Sequence, residues 1–454
     1  MSPNEQFDAH QKALTLNLDP TKFGSFAEIG AGQEVARWFL KVGAASGTVA
    51  KTISAYDKEV SDDLYGPGVR YVSKERLEAM LDAEWDQILK QLQKARGAQT
   101  RFFSFVDTIS ARNYAGTNEP HGWVGLRFQL EPGGPTNDLI LHVNLRDPSN
   151  LLQQEAVGIL GVNLIYAAFH ELDAPTSFLH GLAIDVEKRI EIDYVDFHGP
   201  AFANWDRRAL LVDLVRTGLA EAVCFPSATW AMPPVDVLYK KALVLAPGYF
   251  KHVDPNYAQI HLGLLDSGIQ QFRSEFSDKS APSGFFCFPV MSPQSAGTAP
   301  ELSDLFTRID ALRSRGGDVL LFREPELYTM TVFVNRYTKE PVRFVVGISL
   351  VIRTFEDRYS KLDGRFLDAL SRLFAVNVRL YAHPMRSKDL RESIQDLSPT
   401  NWDWTETNGW VSADQLRLAP PLGHLYSYVL ARKFLVPMQV PASHTAAQSG
   451  ESRS

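Results

Sequence analysis

A chain of 454 residues is longer than one hydrophobic core ordinarily serves, so two or more domains are expected. Its 45% hydrophobic and 22% charged residues are the proportions of a globular protein. The 46 Lys and Arg against 53 Asp and Glu leave a net charge of −7 without long single-sign runs, which argues against a general binder of nucleic acid or anionic membrane.

The amino terminus, MSPNEQFDAHQKAL, has neither the basic stretch nor the apolar core of a signal peptide, so no export is expected. Ser25 and Glu28 have the spacing of a capping box, and Val35, Phe39, Leu40 and Val42 continue at helical intervals. A competing reading makes FAEI a short strand and starts the helix at Gln33. SKERLEAMLDAEWDQILKQLQKAR is an amphipathic helix that begins at Ser73 and stops before Gly97. RFFSFVDTI reads as a strand, and GWVGLRFQL pairs with DLILHVNLR across EPGGPTN as an antiparallel hairpin with one buried face. Asp147 is placed as the cap of the next helix, with Pro148 at its first position. That helix, EAVGILGVNLIYAAFHE, is apolar but short of the roughly 20 residues that span a bilayer.

RIEIDYVDF then reads as a strand, WDRRALLVDLVRTG as a helix, and AEAVCFP and KKALVLA as strands. FFCFPVM, DVLLFRE, RFVVGIS and VRLYAHP alternate with helices that begin near Ser303, Glu326, Ser349 and Asp363. Such alternation of continuous apolar strands with helices indicates a parallel sheet covered on both faces. The fold class is therefore α/β. An amino-terminal α/β domain with the hairpin spans 20–253, a carboxy-terminal parallel α/β domain spans 254–437, and 438–454 form a disordered tail. The two cysteines, Cys224 and Cys287, lie in apolar strands, which disfavours a disulfide framework and fits a reducing compartment.

Five groups of residues carry candidate chemistry. In EIGAGQEVARWF, Gly30 and Gly32 precede a helix, where backbone amides can approach phosphate, and Lys51 and Thr52 add a charge and a hydroxyl. The bland alternative is close helix packing. Asp107, Arg112, His121 and Trp123 cluster around a strand end and the hairpin entrance, offering proton transfer, an anion clamp and a stacking surface. His170, Glu171, Asp173, Asp196 and His198 carry metal-ligating groups but lack the second His of an HExxH helix, so no metal is expected. Arg323, Glu324, Ser349 and His383 stand at the carboxyl ends of the later strands, where parallel sheets gather ligands. Trp402, Trp404 and Trp410 lie in a loop-like segment where stacking on a ligand competes with pinning the loop to the body.

At NLDPTKFGSFAEIGAGQEVARWF, GTVAKTISAYD, HGWVGLRFQ, QEAVGILGVNLIYAAF and PPLGHLYSYVL the chain resembles a bacterial family of similar length commonly labelled nicotinate-nucleotide adenylyltransferase. The resemblance implies a fold shared with that family. The HxGH and ISSTxxR-like motifs of established enzymes of that activity do not occur. Lys51, Asp57, Asp107, Arg112, His121, Trp123, Arg127 and Asn163 lie in or beside the matching phrases and form the expected site. The expectation is a cytoplasmic enzyme acting on a nucleotide or other phosphorylated small molecule, of nucleotidyl- or related group-transferase type. ATP or an NAD-related nucleotide would be its cofactor. The glycine-rich segment and Arg112 would hold phosphate, His121 or Asp107 would move a proton, and Lys51 would join His121 in one pocket. Alternatives are a non-catalytic binding or scaffold protein and a metal-dependent hydrolase. No nucleic-acid or membrane partner is expected, and a homo-oligomer is allowed.

Overall fold

The computed structural model describes residues 7–439 except 69, 249, 251–254, 278–279, 290–301, 357–364 and 398–400. The expected tail beyond 439, the segment SPQSAGTAP and the helix start at Asp363 therefore lie outside the described residues. The chain forms two compact units, Met1–Val223 and Cys224–Ser454. This division falls before the boundary at 253 that the sequence suggests, because two strands assigned there to the first domain belong to the second sheet.

The first unit is built on six strands: β1 (Lys22–Gly30), β2 (Val49–Ile53), β3 (Arg101–Ile109), β4 (His121–Gln129), β5 (Thr136–Leu145) and β6 (Ile190–His198). Their order is β2-β1-β3-β4-β5-β6. β1 runs parallel to β2 and β3, and the remaining pairs are antiparallel, including the hairpin β4–β5 with Trp123 opposite His142. Helices α1 (Ala9–Asn17), α2 (Val35–Val42) and α5 (Asn150–His170) pack together on one face, where Val35 and Gly161 meet Phe105. α3 (Lys58–Tyr65) packs on α4 (Lys74–Arg96), which covers the other face, where Leu77 and Leu81 meet Gly125. α6 (Pro175–Ala183) and α7 (Arg207–Thr217) complete the unit.

The structure departs from several local expectations. Ser25 and Glu28 lie in β1 and form no capping box, and the helix starts at Val35. Both faces of the hairpin are covered, not one, because α4 lies over the face that carries Trp123 and Gly125. α5 is capped by Ser149, whose hydroxyl accepts the Leu152 amide, while Asp147 pairs with Arg189. α5 is long and apolar enough to cross a membrane, yet 72% of its apolar window is buried inside the protein. The Ser73 cap on α4 is as expected, its side chain accepting the Arg76 amide.

The second sheet contains β7 (Ala222–Phe225), β8 (Leu243–Pro247), β9 (Ser283–Pro289), β10 (Asp318–Phe322), β11 (Val342–Gly347), β12 (Val378–His383) and a last strand, β17 (Leu435–Pro437). Its order is β17-β12-β11-β8-β9-β10-β7, and every pairing from β17 to β10 is parallel. α8 (Pro234–Leu238) precedes β8, and α9 (Pro255–Glu275), α10 (Leu302–Arg313), α11 (Leu327–Tyr337), α12 (Ile348–Thr354) and α13 (Phe366–Leu373) connect the strands that follow. From β8 the chain adds β9 and β10 on one side, then crosses to add β11, β12 and β17 on the other. α14 (Ser387–Ser393) and the short strands β13 (Met385–Arg386), β14 (Trp402–Trp404), β15 (Trp410–Val411) and β16 (Leu416–Leu418) come between β12 and α15 (Leu422–Ala431).

At the amino edge of this sheet Glu275 at the end of α9 accepts Nε and Nη2 of Arg343 at 3.1 and 2.7 Å, Nη1 of Arg379 at 2.6 Å and the Tyr381 hydroxyl. Arg343 is buried, so its charge depends on that carboxylate. Glu275→Ala is expected to cost roughly 3–5 kcal/mol, the usual effect of stranding a buried charge, read by urea denaturation of the whole chain.

Candidate functional site

The glycine-rich segment closes on the protein itself. Gly30 has φ +81°, and a Cβ there would lie 2.0 Å from the Ile109 carbonyl oxygen, while one at Gly32 would lie 1.8 Å from Oδ1 of Asp107. Glu28 reaches from β1 to accept the Val35 amide at 2.7 Å and the Ala36 amide at 3.1 Å. Those are the free amides at the start of α2 that a phosphate would have to use. Asp107, next to Glu28 on β3, accepts the Ile29 amide at 3.1 Å, and its Oδ2 has no hydrogen-bond partner among the described residues. Burial pushes Glu28 up to about 7, and burial with the Glu28 charge holds Asp107 well above the usual carboxylate range. Two carboxyl groups thus stand where Gly30 and Gly32 were expected to cradle phosphate. The glycines are required by packing.

The other expected site residues disperse. Lys51 pairs with Glu84 at 2.6 Å on α4, and Thr52 beside it is exposed. Lys51 is level with Ser25, Ser104 and Arg127, three strands across and six residues along from His121, roughly 25 Å at ordinary strand spacing. A shared pocket is ruled out by that register. Asp107 pairs with Val124, an odd number of residues from His121, so the two proposed proton carriers face opposite sides of the sheet. Arg112 lies in an exposed loop and donates to the Pro148 carbonyl at 3.2 Å. Arg127 is held by Asp138, through two bonds of 2.8 Å, and by Asp82 at 2.7 Å. Asp57 caps α3. Asn163 accepts from the buried Lys12 at 2.8 Å and donates to the carbonyls of Leu182 and Ile184, which satisfies it within the core.

His121 does enter a polar chain, with partners not singled out from the sequence. Its Nδ1 lies 2.9 Å from Nε2 of His142, whose Nδ1 lies 2.6 Å from Oδ1 of Asp193. Asn144 donates to the other oxygen of Asp193 at 2.7 Å. His142 and Asp193 are buried, and Trp123 packs edge-on against His142 with ring centroids 5.0 Å apart. The signal available in the sequence was the polar residues inside DLILHVNL and IEIDYVDF, out of place in strands with two covered faces.

The second unit holds a cavity of about 530 Å³ at the carboxyl edge of its sheet. It is lined by Pro247 at the end of β8 and Gly248 after it, Pro289 at the end of β9, Pro325 and Glu326 after β10, Gly347 at the end of β11, Ser349, Leu350 and Arg353 on α12 and Glu356 after it, with Met330 and Leu397. β8 and β11 are the neighbours at which the strand order reverses, so the crevice lies at the topological switch point. Arg353 is held by Asp396 at 2.7 and 2.9 Å, and Glu356 accepts Nε1 of Trp402 at 2.9 Å. Trp402 therefore fixes a wall of the crevice. Of the four strand-end residues expected near a ligand, Ser349 lines it; Arg323 stands near Glu324 at 3.7 Å, and His383 is paired with the Pro384 carbonyl.

These features define a mixed α/β protein with one large sheet in each unit, the second parallel from β17 to β10 and with a crevice at its switch point. No protein-family model matches the chain, nor does any curated protein. Among solved structures it is similar to the competence/damage inducible protein CihA from Agrobacterium tumefaciens, at 19% identity over 37% of this chain and 98% of that one, with a TM-score of 0.27. A CinA superfamily protein from Enterobacter cloacae matches at 14% identity over 37% of this chain and 96% of that one, again with a TM-score of 0.27. Likeness at that level assigns no activity.

The Glu28–Asp107 pair has a pH signature. Because Glu28 titrates near 7 when folded and near 4.5 when exposed, its contribution is fully present below about 4.5 and is lost as pH rises through 7. Stability should therefore fall between pH 5 and 8. Asp107→Asn keeps an acceptor for the Ile29 amide and removes the second buried carboxyl, whose own raised pKa adds to the loss, so the variant should lose less stability than the unaltered protein as pH rises from 5 to 8, measured by denaturation across the pH range.

Proposed function

We propose that the protein is a cytoplasmic enzyme that takes a nucleotide or another phosphorylated small molecule in the crevice of its second unit. The observation that carries this reading is the coincidence of a cavity of about 530 Å³ with the switch point of a doubly wound parallel sheet. Chain connections diverge there to opposite faces of the sheet, which leaves a cleft that no side chain of a regular element fills. Its polar groups suit such a ligand. Glu326 and Glu356 accept from sugar hydroxyls or base amino groups, and the Ser349 hydroxyl donates to an anion. The prolines and Met330 supply an apolar wall for a ring.

The family resemblance favours pyridine and adenine nucleotides as the first compounds to try, and nucleotidyl transfer as the first reaction. Without the HxGH histidines, phosphate would have to be held by the groups of the crevice. Among the described residues no group of three or more His, Cys, Asp or Glu side chains is disposed to hold a metal, so the hydrolase reading gains no support.

The test is thermal-shift titration of the whole chain with ATP, NAD and nicotinate mononucleotide at millimolar concentration. At about a hundred times its Kd a ligand adds about 2.7 kcal/mol, and at least one compound should raise the melting temperature. Gly347→Val should abolish the rise and leave the unliganded melting temperature unchanged, because a Cβ at Gly347 meets nothing nearer than Ser349 Oγ at 4.0 Å and so projects into open space. A flat response to all three compounds, or an undiminished one in the variant, would count against the crevice.

A further inference from the structure

The hydrogen-bond chain in the first unit fixes the protons of two imidazoles. Asp193 is buried and its Oδ2 is engaged by the amide nitrogen of Asn144. Its Oδ1, 2.6 Å from Nδ1 of His142, accepts a hydrogen bond from that N–H. A neutral His142 then carries its lone pair on Nε2. The partner 2.9 Å away, Nδ1 of His121, must donate to it. The lone pair of His121 is left on Nε2, which takes no hydrogen bond from any described residue, on a half-buried ring at the first position of β4. A carboxylate that sets the tautomer of one histidine commonly prepares it as a base. Here the same logic passes through two rings.

We propose that Asp193, His142 and His121 form a proton relay whose outlet, Nε2 of His121, is a general-base site for an O–H group of water or of an alcohol substrate. The O–H proton passes to Nε2 of His121 as the O–H bond breaks, leaving its electron pair on oxygen. The Nδ1 proton of His121 moves to Nε2 of His142. His121 ends neutral with its proton on Nε2, and His142 ends as an imidazolium paired with the Asp193 carboxylate. The positive charge thus comes to rest on the ring beside the buried anion. Burial, the neighbouring His142 and Arg70 lower His121 to about 4 and Asp193 opposes them, so His121 by itself is a poor place to hold that charge. Separating the accepting ring from the charge-bearing ring removes the conflict. In this scheme His121 is the candidate catalytic residue, and His142 and Asp193 are positioning residues. Trp123 packs edge-on against His142, and Tyr194 packs edge-on against Trp123, which holds the His142 ring in line.

The experiment reads tautomers directly. Long-range proton–nitrogen NMR of the full chain, with 15N-labelled histidine, should show His121 protonated at Nδ1 and bare at Nε2 across neutral pH. Diethyl pyrocarbonate should acylate that nitrogen. Asp193→Asn should reverse the chain. Because Asn144 donates to one side of the group, the oxygen of the new amide turns to it and the NH2 faces His142. His142 then keeps its proton on Nε2, donates to Nδ1 of His121, and forces the His121 proton onto Nε2. Acylation of His121 should slow by roughly tenfold or more, in line with the cost of a wrong tautomer. An Nε2–H tautomer at His121 in the unaltered protein overturns the proposal, and so does a folded Asp193→Asn variant with unchanged tautomer and reactivity. Should that variant not fold, the measurement on the unaltered protein still decides.

Discussion

The carboxylate of Glu28 takes the two amides that open α2, and Asp107 presses against it from the next strand. Around that contact Gly32 can carry no side chain, β1 must end at Gly30 with positive φ, and α2 is held over the sheet at a fixed angle. The contact follows from a wider constraint. A sheet covered on both faces leaves no water for a polar side chain, so each must find its partner inside the same unit. Lys12 finds Asn163 and the Gly181 carbonyl, and Arg343 finds Glu275. The cost of these placements is visible in burial that pushes Lys12 down to about 8 and Glu28 up.

The same constraint separates structural from functional polarity. Arg127, Asp57 and Asn163 have partners that account for them in full as packing or capping residues. His121 has one ring nitrogen engaged, and the other is turned from the chain that fixes its tautomer. An imidazole so placed is prepared for an external donor.

In the second unit the constraint is topological. Parallel strands require crossovers, and crossovers that leave β8 and β11 toward opposite sides open a cleft at their carboxyl ends. The segment between β12 and α15 adds a wall to that cleft: Trp402 holds Glu356 through Nε1 and packs on Tyr426. Trp404 donates to Ser387, and Arg386 lies over Trp410. These tryptophans pin the insertion to the body, and one of them shapes the crevice in doing so.

Local patterning was sufficient wherever a segment buries one continuous set of side chains. The apolar periodicity and Ser73 cap define α4, the two alternating runs around EPGGPTN define β4 and β5, and the regular alternation after residue 280 defines a parallel sheet. The α/β class was therefore legible, as was Ser349 near a strand end. Strand order was not. Which strands flank β8 depends on pairings between segments far apart in sequence, so the switch point and its crevice emerge only in three dimensions. Nor does proximity in sequence decide faces: Asp107 and His121 lie near one another along the chain and point to opposite sides of the sheet, because side chains alternate along a strand. A glycine-rich turn before a helix reads as a phosphate cradle until Glu28 is seen to fill it. His142 and Asp193, on two further strands, become partners of His121 only through the register of β4, β5 and β6. The sequence by itself determined which segments are buried and in what local form; the tertiary structure decided which buried polar groups meet, because their desolvation can be offset only by partners that the folded sheet brings within hydrogen-bond distance.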